Sequence, residues 1–103
     1  MADFVIAAKV SDVVSGHIKT VIVNGKQIAL ANVDGEFFAI DDLCTHAQCS
    51  LGGEGMLDGN VLTCGCHGSQ FDVGTGKVLA PPAVEAESSY KTKVEGENIL
   101  VYV

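Results

Sequence analysis

Apolar residues in the first forty positions come in short runs, each closed by a turn-forming pair. Phe4-Val5-Ile6-Ala7-Ala8 predicts an opening strand, and Ser11 to Gly16 a loop. Ile18-Lys19-Thr20-Val21-Ile22-Val23 is rich in β-branched residues, which suit a pleated, half-buried surface. Asn24-Gly25 follows as a strong hairpin signal, and Gln27 to Val33 reads as the return strand. Asp34-Gly35 repeats the device before Phe37-Phe38-Ala39-Ile40. The pattern predicts a three-strand meander with two-residue turns.

Beyond Asp41 the texture changes. Eight of the twelve glycines fall between Gly52 and Gly76, together with the turn Asp58-Gly59-Asn60. Val61-Leu62-Thr63 and Lys77-Val78-Leu79 are short strand candidates, and Pro81-Pro82 ends the region. Ser89 to Val94 and Ile99 to Val103 predict a closing hairpin around Glu95-Gly96-Glu97-Asn98. No segment carries a sustained helical period. The expectation is an all-β sandwich or small barrel, with a glycine-rich middle third mounted on strands from both ends.

Composition bounds this picture. One domain spans the 103 residues, and 48% hydrophobic content supplies a real core. Thirteen acids against six lysines, with no arginine, give a net charge of −7. That balance argues against nucleic acid or an anionic membrane surface, and favours a partner with a basic face. The N-terminus lacks a signal-peptide pattern and no apolar run is long enough to span a membrane, so a cytoplasmic protein is expected, without membrane or nucleic-acid partners. A reducing cytosol disfavours structural disulfides, which makes the cysteines ligand candidates first.

All four cysteines lie in two runs, Cys44-Thr45-His46-Ala47-Gln48-Cys49 and Cys64-Gly65-Cys66-His67-Gly68-Ser69, as do two of the three histidines. Thiolate and imidazole are common ligands of zinc and iron. A zinc site of two cysteines and two histidines is one solution. A plant-type four-thiolate cluster is not: Cys44 and Cys49 match its first gap, but the third cysteine is missing at the next. A mixed diiron cluster, with thiolates on one iron and imidazoles on the other, is a third. His17, beside Ser15-Gly16, reads as a surface residue, and Asp41 and Asp42 as loop caps.

Cys-x-His, seventeen residues, then Cys-x-x-His resembles the ligand signature of the Rieske family, and the second run is similar to that family's second cluster loop almost residue for residue. The resemblance covers essentially the whole chain, including the stretch Leu79-Ala80-Pro81-Pro82. It implies a Rieske-like antiparallel β-sandwich or barrel forming a single domain over residues 1–103, with a smaller cluster-binding subdomain at about 42–82. It implies one Rieske-type 2Fe-2S cluster held by Cys44, His46, Cys64 and His67. With two imidazoles the oxidised cluster is neutral rather than dianionic, which raises its potential to roughly −150 to +300 mV.

The remaining cysteines make the chain a hybrid. The length and the seventeen-residue gap resemble the small Rieske ferredoxins. A Cys49–Cys66 disulfide is instead what the Rieske proteins of cytochrome bc complexes imply. Ser69 matches a serine that in high-potential relatives bonds a bridging sulfide. Phe71 stands where those relatives carry a tyrosine, so the resemblance implies a potential below theirs; a core role for its ring is the other reading. The histidines are expected at the surface, ringed by Ala47, Leu51 and Pro81. The function implied is electron carriage rather than catalysis, by a monomer that takes electrons from a ferredoxin reductase and passes them to a terminal oxygenase or other acceptor. A small subunit of a larger oxidoreductase and a zinc-stapled interaction domain are the rivals.

Overall fold

The computed structural model describes residues 3–45, 49–66 and 68–103. Among these residues, eleven strands form three antiparallel sheets. The first sheet has the order β1 (Phe4–Lys9), β11 (Asn98–Tyr102), β10 (Thr92–Glu95). The second is the expected meander β2 (Ile18–Val23), β3 (Lys26–Val33), β4 (Glu36–Asp41), extended by the two-residue β9 (Ser89–Tyr90). The third is β5 (Met56–Asp58), β6 (Val61–Thr63), β7 (Gln70–Asp72), β8 (Val78–Ala80). A short helix, α1 (Leu51–Glu54), follows the first Cys/His run.

The meander turns are what their sequences demand. Asn24 and Gly25 have φ of 49° and 78°, and Asp34 and Gly35 have 52° and 90°, the left-handed pairs that match strand twist in a two-residue hairpin. β3 lies at the heart of the molecule because it is apolar on both faces. Ile28 and Leu30 join Val21, Val23, Ile99 and Val101 in one buried cluster, while Ala29 and Ala31 join Ile40, Leu51, Leu62 and Phe71 in the other. The second sheet is therefore a middle layer, with the first sheet on one face and the third on the other. An unbroken apolar run is how a strand covered on both sides is written.

Two expectations need correction. The stretch read as one strand from Ser89 to Val94 divides at Lys91, so that β9 pairs with β4 and β10 with β11. Leu51, expected on the surface, is fully buried at the start of α1. Among the described residues no helix is long and apolar enough to cross a membrane.

Candidate metal centre

Both Cys/His runs are loops pinched in the same way. Cys44 donates its N–H to the carbonyl of Cys49 at 2.8 Å, and Cys64 donates to the carbonyl of Ser69 at 2.7 Å. Each clamp leaves the leading cysteine buried at the loop base. The first loop leaves the end of β4 and runs into α1; the second joins β6 to β7. The loops are cross-linked by a Cys49–Cys66 disulfide with a Cα–Cα distance of 6.5 Å. Closing a loop of this size contributes about 3 kcal/mol in the chain-entropy account.

The bridge divides the cysteines into two classes. Cys49 and Cys66 are consumed by it, whereas Cys44 and Cys64 remain as thiols among the buried core residues. The Cys64 sulfur and both bridging sulfurs lie within 4.8 Å of one another. Only one of those three sulfurs is a thiol; the pair Cys44 and Cys64, one from each loop, fits a group needing two thiolates, and with Cys49 and Cys66 bridged the cysteines do not make a four-thiolate cage. His46, Ala47, Gln48 and His67 lie outside the described residues.

Asp42 fixes the first loop at its root. Its buried carboxylate accepts from Thr20 Oγ1 at 2.9 Å, Gln27 Nε2 at 2.6 Å, Ser50 Oγ at 2.6 Å and the Gly52 N–H at 2.7 Å. Its own N–H donates to Gln27 O, and its carbonyl accepts from Leu51 N–H. Ser50 in turn caps α1 by accepting from Gly53 N–H at 3.0 Å. One carboxylate thus ties β2, β3, α1 and the loop together. The capping role read for this position holds in an enlarged form. On the other side Gly65 lies so close to α1 that a Cβ there would fall on the Glu54 carbonyl, and Glu54 Oε2 sits 3.1 Å from Cys66 Sγ.

Ser69 is fully buried, and its Oγ accepts the Ala83 N–H at 3.0 Å. The hydroxyl keeps its own proton to donate. Phe71 is fully buried too, in the same cluster as Cys44 and Cys64, so its ring is a core group beneath the loops. Phe71→Tyr would add a hydroxyl to this region. The expected result is a higher reduction potential at some cost in stability, read by spectroelectrochemistry and thermal melting; no upward shift counts against the tuning role.

Nothing in the sequence sets Glu87 apart from the other acids. It is only 4% exposed, and its Oε2 accepts the N–H of Thr45 at 2.8 Å. Burial pushes its carboxyl up from 4.5 to about 7; the Thr45 hydrogen bond opposes that rise, while Asp41 and Asp42 add to it. Tyr90, which donates to Asp41, is pushed up to about 12, chiefly by burial. The folded chain therefore holds the Glu87 proton to a higher pH than the unfolded chain does. Stability should fall as pH rises from about 4.5 to about 7, by up to about 3 kcal/mol from this group. Thermal midpoints measured near pH 5 and pH 8 should show wild type losing ground to Glu87→Gln; an unchanged gap would contradict this.

Comparison with known proteins agrees with the geometry. Residues 3–102 match the family description Rieske [2Fe-2S] domain. The biphenyl dioxygenase ferredoxin subunit of Pseudomonas sp. (strain KKS102) is 43% identical over 98 residues, covering 95% of this chain and 90% of that protein. The Sphingomonas yanoikuyae B1 ferredoxin structure superposes with a TM-score of 0.91 at 30% identity, covering 98% of this chain and 99% of that one. The fold also matches a structure described as a complex of reduced oxygenase and oxidised ferredoxin in carbazole 1,9a-dioxygenase, with a TM-score of 0.88, 32% identity, and coverage of 96% and 92%. Two loops with one clamp, a buried thiol at each base and matches over nearly every residue lead to one conclusion: the chain belongs to the Rieske [2Fe-2S] domain family.

Proposed function

We propose that this chain is a one-electron carrier of the ferredoxin type, taking an electron from a reductase and delivering it to the terminal oxygenase of an aromatic-ring dioxygenase system. The observation that carries this reading is the pair of matched loops, each with a buried thiol at its root. Cys44 and Cys64 would hold one iron of a Rieske 2Fe-2S cluster, and His46 and His67 the other, within a cluster-binding subdomain at about 42–82. When bound, the cluster supplies reversible uptake of one electron without bond making in a substrate. Family membership favours this group over zinc. We place the protein in the cytoplasm, with no reaction of its own to catalyse.

The chain's own residues prepare the site. The backbone clamps and the disulfide hold the loops in fixed relation, so little rearrangement accompanies a change of charge. The apolar cluster around Cys44, Cys64, Leu62 and Phe71 excludes water from the thiolate side. The Ser69 hydroxyl, held by Ala83, retains a proton that can answer added negative charge. Leu43, Pro81, Pro82 and Val84 are exposed beside the loops and give a docking partner an apolar rim on an otherwise acidic molecule.

The test is replacement in a reconstituted biphenyl dioxygenase assay containing reductase and oxygenase but no other ferredoxin. Product formation should depend on the concentration of this chain. Cluster-loaded protein that the reductase reduces but that delivers nothing to the oxygenase would overturn the oxygenase assignment.

A further inference from the structure

Glu87 is a buried acid that the electron-carrying role leaves without a task. It reaches the first loop from a segment 42 residues later in the chain. Thr45, between Cys44 and His46, gives both of its donors to this segment: its N–H to Glu87 Oε2 at 2.8 Å and its hydroxyl to Glu85 O at 2.7 Å. The segment is itself fixed. Glu87 N–H donates to Gly76 O at 2.8 Å, and a Cβ on Gly76 would fall on the Glu87 carbonyl. Asp41 N–H donates to Ser88 O at 2.9 Å. The like charges of Asp41 and Asp42 act on the same carboxyl, though their own hydrogen bonds are made elsewhere, and Tyr90 lies close enough to respond to it.

Burying a carboxylate beside two other acids costs stability, and an apolar side chain would fill the space without that cost. What the acid supplies is an acceptor for a main-chain N–H inside the loop and a negative charge shielded from water. We propose that Glu87 is a positioning residue for the first loop, holding Thr45 in place, and that its carboxylate opposes electron uptake at the centre the loop serves. This rests on the reading of residues 44–49 as a cluster loop.

Glutamine separates the two roles, because its amide oxygen still accepts the Thr45 N–H but carries no charge. Aspartate keeps the charge and shortens the arm; leucine removes both. The experiment measures, at pH 9, the reduction midpoint by spectroelectrochemistry and the rate of bleaching by an iron chelator. Glu87→Gln should raise the midpoint while bleaching at the wild-type rate. Glu87→Asp should keep the wild-type midpoint and bleach faster. Glu87→Leu should do both, bleaching roughly tenfold faster for the loss of one charge-assisted hydrogen bond. If the leucine variant does not fold, the glutamine and aspartate variants carry the test. A glutamine variant with the wild-type midpoint overturns the charge role, and an aspartate variant that bleaches no faster overturns the anchor. Iron-free wild-type protein would instead sink the reading of the loops.

Discussion

Serine in place of Cys64 should give a folded protein without an iron–sulfur cluster. The loop around Cys64 is closed by main-chain hydrogen bonds, Cys64 N–H to Ser69 O and Gly68 N–H to Cys64 O, and neither uses the sulfur. The Cys49–Cys66 bridge is also independent of it. The substitution therefore spares the scaffold and removes one of the two thiolates proposed to hold iron, at a local cost of about 1–3 kcal/mol for a hydroxyl left in an apolar pocket. Iron and acid-labile sulfide per chain should drop close to zero, with visible absorption lost and circular dichroism kept. The paired Cys49→Ser, Cys66→Ser protein should behave oppositely: it should load the cluster and lose thermal stability. Full iron in the Cys64→Ser protein would remove this residue from the ligand set.

Alanine in place of Asp42 should be the most damaging change outside the donors. Four hydrogen bonds converge on one buried carboxylate, and deleting it leaves Gln27 Nε2 and the Gly52 N–H without their acceptor and the Thr20 and Ser50 hydroxyls with only each other to donate to, 3.0 Å apart. The expected loss is about 3–5 kcal/mol, from at least two buried neutral donors left unsatisfied at about 1–3 kcal/mol each. That is a large share of the roughly 5–15 kcal/mol that holds a domain together. An asparagine side chain would keep one acceptor oxygen but turn an NH2 toward donors, so Asp42→Asn should recover only part of the loss. Denaturant titration of each variant measures this. A loss below about 1 kcal/mol for Asp42→Ala would show that the network is dispensable, contrary to the usual cost of orphaned buried donors.

Much of the molecule was readable from residue order, for reasons that are local. Asn24-Gly25 and Asp34-Gly35 specify their turns chemically, so β2, β3 and β4 follow almost to the residue. The two Cys/His runs announce a donor set because these side chains are scarce and occur together. The three-residue strands β5 and β7 were not readable, since so short a segment has no period. They exist because β6 between them supplies hydrogen-bonding partners on both edges. Leu51 was expected at the surface only as an apolar neighbour of the ligand histidines that the resemblance implies, whereas α1 turns it inward into the cluster shared with β3. Asp41 and Asp42 are adjacent acids whose order says nothing about burial. Just past the end of β4 the chain turns Asp42 into the core, and Asp41, the last strand residue, stays partly exposed to receive Tyr90. Glu87 was hidden for a similar reason: one acid among thirteen, made distinctive only by a partner 42 positions away.

Everything proposed for this chain depends on two irons held unequally, by sulfur at one end and ring nitrogen at the other. Low-temperature electron paramagnetic resonance of the purified protein after dithionite reduction tests it most directly. The account predicts a rhombic signal with the low average g-value of a nitrogen-ligated diiron centre, integrating to about one spin per two irons. A colourless zinc protein, or a signal with the higher average g of an all-thiolate cluster, would contradict it.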